Sequence, residues 1–117
     1  MSDMPLEKIR STTRHVISLL VRARYSEIES VTKGCKLKAG EISAAINKYG
    51  RALAEPPDSH FAALNIVEIM GHHPRAWSVW LDLWAKEEGR SDLGLELTLV
   101  DSPGPMLEIE LDNIRVP

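Results

Sequence analysis

The chain holds one cysteine among its 117 residues, together with one phenylalanine and two tyrosines. A single cysteine closes no internal disulfide, which suits a reducing compartment, so a cytoplasmic protein is expected. No apolar run approaches the roughly 20 residues of a membrane span, and Met1-Ser2-Asp3-Met4 does not open a signal peptide. Excess positive charge is missing as well. Lysine and arginine number 14 against 17 aspartates and glutamates, a net charge of -3 that argues against a general nucleic-acid binder. There is no G-x-G-x-x-G, no phosphate loop, no C-x-x-C and no H-E-x-x-H. What remains is 44% hydrophobic, which excludes a disordered chain and is enough for one domain over residues 1–117 to bury its own core.

Charge and periodicity both change near the middle. Residues 1–60 carry 10 basic and 7 acidic side chains, whereas residues 61–117 carry 4 and 10. The first half reads as helix. Leu6, Ile9, Thr13, Val16, Ile17 and Leu20 recur at helical spacing, with Lys8, Arg10, Arg14, His15 and Arg22 on the other faces. Ser26 and Glu29 fit a capping box opening a second helix, which Gly34 would stop. Ile42, Ala45, Ile46 and Tyr49 form the stripe of a third helix, ended by Gly50. Pro56-Pro57 then separates a helical half, 1–57, from a sheet half, 58–117.

Alternation runs through Trp77–Trp84, Leu93–Leu99 and Leu107–Leu111, with an earlier, blurred strand near Leu64–Met70. Turns at 72–75, 87–90 and 102–105 make these strands antiparallel neighbours. The expectation is an α+β fold: three N-terminal helices packed on a curved four-stranded antiparallel meander. One sheet face receives Val79, Leu81, Leu83, Leu95, Leu97, Leu99, Leu107, Ile109 and Leu111, so it lies under the helices. The other receives Ser78, Trp80, Asp82, Trp84, Glu96, Thr98, Glu108 and Glu110. A face so acidic meets water or a partner, and two tryptophans set among those carboxylates have the composition of an interface.

Three helices followed by a long meander, closed by Leu107-Glu108-Ile109-Glu110-Leu111-Asp112-Asn113-Ile114-Arg115-Val116, resemble the nuclear transport factor 2-like (cystatin-related) fold. The stretch from Glu87 through Leu99 is similar to a family of small, uncharacterised bacterial proteins, and some small domains of this kind serve as immunity proteins beside toxins. Catalytic members of the fold place Asp, His, Tyr or Arg inside the cone between helices and sheet. This chain departs from them, because the corresponding positions on three strands are aliphatic and offer no general base. Only Tyr49, Asn65 and Glu68 could line an alternative pocket for a small molecule or for catalysis.

Other constellations are weaker. His72-His73, with His60 and Asp58, could converge on a metal only if the turn folded back on itself. Cys35 follows the helix-stopping Gly34 and would meet His15 or His60 only through the tertiary fold, so no catalytic thiol is expected. No catalytic residue, metal or cofactor is therefore expected. The functional expectation is a non-enzymatic binding protein, of immunity type, that contacts a basic protein partner through Trp80, Asp82, Trp84, Glu96, Glu108 and Glu110. Self-association would use the same indoles, and would need Arg75, Lys86, Arg90 or Arg115 to separate the facing glutamates. Neither nucleic acid nor a membrane is an expected partner.

Overall fold

The computed structural model describes residues 4–32 and 36–116. Its elements are helices α1 (Leu6–Val21), α2 (Tyr25–Val31) and α3 (Ala39–Tyr49), strand β1 (Leu53–Ala54), helix α4 (Asp58–Ala62), and strands β2 (Asn65–Glu68), β3 (Ala76–Ala85), β4 (Gly89–Val100) and β5 (Glu108–Arg115). The architecture is α+β, with helices first and an antiparallel sheet after.

α1 forms because its apolar positions fall on one side. Ile9, Val16, Ile17 and Leu20 are buried against the sheet, while its cations are held at the rim. Lys8 donates to the Ser102 carbonyl, Arg10 pairs with Glu7 at 3.0 Å, and Arg14 pairs with Asp58 at 3.1 Å while covering the Phe61 ring. The expected basic face is thus largely engaged within the chain. α2 does not start as the sequence suggests. It begins at Tyr25 after an N-cap at Arg24, with no side-chain cap, so Ser26 lies inside the first turn. Tyr25 packs against the core, and that contact draws the chain into helix one residue before the serine. The Glu29 carboxylate instead accepts the Ala39 N–H at 2.6 Å, so α2 caps the start of α3. Gly34, the expected stop, lies outside the described residues, as does Cys35. α3 ends as expected, on Gly50 in the left-handed region at φ 81°.

The prolines do not separate helix from sheet. β1 precedes them and α4 follows them, which gives a five-stranded sheet rather than four. β3, β4 and β5 run side by side, and β1 and β2 share the free edge of β3. β1 covers Trp84 and Ala85, and β2 covers Trp77 to Trp80. α4 spans the interval between them. There the His60 ring donates from Nε2 to the Asp82 carbonyl at 2.7 Å, supplying a bond that no strand provides. On the opposite side of β3, the ladder with β4 contains a bulge between Asp82 and Trp84, and the Ser91 hydroxyl fills it by donating to the Leu83 carbonyl at 2.7 Å and accepting from the Leu93 N–H.

The nine aliphatic residues assigned to the inner face are all buried, in one cluster with α1, Ile28 of α2, and Ile42 and Ile46 of α3. Trp77, in phase with them, is 1% exposed and belongs to the same core. Among the buried polar groups there, the Thr12 hydroxyl serves the backbone, donating to the Lys8 carbonyl at 2.7 Å and accepting from the Leu107 N–H at 3.1 Å.

Candidate functional site

Because the side chains of a strand alternate, the packing of Val79, Leu81 and Leu83 inward turns Trp80, Asp82 and Trp84 outward. Strand register then places their neighbours. Across β4 and β5 the rows read Ser78–Thr98–Glu110, then Trp80–Glu96–Asn113, then Asp82–Gly94–Arg115, and finally Trp84–Arg90. Every residue expected at an interface lies on this outer face or at its end. Trp80, Asp82, Trp84, Glu96 and Glu110 are half-buried, and Glu108 is exposed.

The indoles are held differently. The benzo half of Trp80 lies directly over Gly94, where a Cβ would come within 2.2 Å of Cζ2. The Arg115 guanidinium stands 5.5 Å from the same ring. Trp84 turns toward the edge, with the His60 imidazole edge-on at 5.8 Å and Gly89 against its ring at the hairpin turn. Its Nε1 is buried with no hydrogen-bond partner among the described residues.

Part of the expected acidity is neutralised. Asp82 pairs with Arg90 at 2.7 Å. Asp112, the extra residue of a bulge in β5, accepts from the Thr98 hydroxyl at 2.6 Å and pairs with Lys36 at 2.8 Å. Glu96 and Glu110 make no ion pair among the described residues. Gly94 and Asp112 are the members of this face that sequence reasoning missed, while Arg90 and Arg115, expected only as cations between facing glutamates of a dimer, act within the chain. Gly94 carried a signal, since a glycine inside an alternating strand marks a close approach by something else.

The alternative trio is not assembled. Asn65 and Glu68 lie on β2 opposite Trp80 and Trp77, and Glu68 is held by both arms of Arg75 at 2.8 Å, which keeps its carboxyl below the usual range. Tyr49 is at the far end of the molecule beside the β3–β4 turn. It donates to the Glu88 carboxylate and accepts from the Asp92 N–H at 3.1 Å, and the Glu88 bond raises its pKa. A cleft of about 560 Å³ opens there between α3 and the ends of β4 and β5, lined by Ala45, Lys48, Tyr49, Leu93, Ile114, Arg115 and Val116. Nor do the histidines gather. His72 donates within its own turn to the Pro74 carbonyl, and no group of three or more metal-ligating side chains converges among the described residues.

No helix among the described residues is long and apolar enough to cross a membrane. Neither the curated proteins nor the solved structures compared with the chain give a match. One family does match, over residues 17–117, and it is described as a domain of unknown function, DUF7668. The chain belongs to that family.

Proposed function

We propose that this protein acts by binding a basic protein partner on the outer face of its sheet, and not by catalysis. The observation that carries this reading is the row of two half-buried tryptophans on a face that the core-forming helices leave uncovered, beside Glu96 and Glu110 without ion pairs among the described residues. Indoles supply most of the contact energy in such surfaces, while carboxylates around them steer an oppositely charged partner. An immunity-type protein that caps a cationic toxin in the bacterial cytoplasm is the finer form of the proposal. Nuclease-type toxins are basic because they grip phosphates. Descent from nuclear transport factor 2-like domains is part of the same proposal, supported by the helices-then-meander order.

The test is association with a nine-arginine peptide followed by calorimetry. Trp80→Ala and Trp84→Ala should each weaken it about tenfold or more. Glu110→Lys should slow association and flatten its salt dependence. Unchanged affinity in both tryptophan variants would refute the reading. The cleft beside Tyr49 favours a second reading, a small-molecule site with an apolar wall. Protection of Leu93 and Ile114 resonances by a small apolar ligand, with the tryptophan face unaffected, would support that alternative.

A further inference from the structure

The Trp80 ring already carries a cation. Arg115 leaves β5 directly opposite Gly94, the residue over which the indole lies, and its guanidinium stands 5.5 Å from the ring. A carboxylate is within the same part of the face, because Glu96 is the cross-strand partner of Trp80. Yet Arg115 makes no ion pair among the described residues. Its guanidinium lies against the aromatic ring, while Glu96 has no cation among the described residues. An aromatic ring next to an unneutralised carboxylate is the chemistry that receives an arginine: the plane of the guanidinium stacks on the ring and its N–H groups reach the carboxylate.

We propose that Trp80, seated on Gly94 and flanked by Glu96, is the receptor for an arginine side chain of the partner, and that Arg115 occupies it in the free chain as an internal placeholder. This rests on the outer-face reading above and specifies it. The partner inserts a guanidinium, Arg115 swings off the ring, and the unfilled carboxylate gains a donor. Gly94 is the structural requirement, since any Cβ there collides with the indole. The placeholder covers an exposed aromatic surface until the partner arrives and sets a threshold that weak cations do not cross.

The device has a consequence that a simple contact residue would not produce: removing Arg115 strengthens binding. With the nine-arginine peptide as probe, Arg115→Gln should tighten the complex roughly two- to fivefold, the range of one exposed cation–aromatic contact. Lys48→Gln removes the same charge away from the ring and controls for long-range repulsion; it should tighten the complex by less than half as much. Trp80→Leu and Gly94→Ala should lose most of the affinity, the first keeping an apolar side chain in place so that the fold survives. Equal gains in Arg115→Gln and Lys48→Gln would overturn the placeholder, and so would weaker binding in Arg115→Gln, which would make Arg115 a contact in its own right. Both of those results leave the outer-face reading standing if Trp80→Leu still binds poorly. Full affinity in Trp80→Leu would overturn the arginine receptor, and if Trp84→Ala also binds normally the outer-face reading falls with it.

Discussion

Leu97 has no exposed surface and sits at the centre of the inner face between Val79 and Leu111. Leu97→Ala should cost about 2–5 kcal/mol in chemical denaturation, through lost burial and the cavity left behind. A loss under about 1 kcal/mol would mean that the site collapses freely or that the residue is not core. Tyr49 offers a test by pH. Its hydroxyl donates to Glu88, and the anionic acceptor favours the protonated phenol, so its pKa is raised. The stabilisation is therefore complete below the unfolded tyrosine value of about 10 and declines as pH climbs from there through the raised folded value. The difference between near-ultraviolet titrations of wild type and Tyr49→Phe should have its midpoint above the ordinary value. A midpoint at or below it would show that the bond does not persist in solution.

Elements with a period were legible in the sequence, and those held by single contacts were not. β3 buries every second residue from Trp77, and β4 and β5 do so over Leu95–Leu99 and Ile109–Leu111, so alternation placed them and sorted their faces without coordinates. β1 has two residues and α4 five, too few for any period, and what fixes them is the vacant edge of β3 together with the bond from His60 to the Asp82 carbonyl. The capping box at Ser26 and Glu29 failed for a similar reason. The spacing was right, but Glu29 found a better donor ten residues on, at the start of α3. Glu29→Ala should therefore act on α3 rather than α2, costing about 1 kcal/mol and raising amide exchange in the first turn of α3. Faster exchange confined to α2 would restore the local capping box. The bulges in β4 and β5 were equally hidden, because an extra residue shifts register without changing composition, and with them the positions of Asp112 and Arg115 on the outer face.

At the scale of the whole molecule, the chain has spent its apolar residues on one side of the sheet and kept two indoles for the other. The packed aliphatic interior supplies rigidity, and the outer face supplies the only paired aromatic surface not committed to the core among the described residues. On that face Arg90 pairs with Asp82 and Arg115 stands over Trp80, while Glu96 and Glu110 make no ion pair among the described residues. The claim that these tryptophans serve binding rather than folding is tested most directly by one paired measurement on the double variant Trp80→Ala/Trp84→Ala. Thermal unfolding and affinity for the nine-arginine peptide are recorded on the same preparation. The account predicts a cooperative transition within a few degrees of wild type together with nearly complete loss of binding. An unfolded or strongly destabilised variant, or one that melts normally and binds as well as wild type, would contradict it.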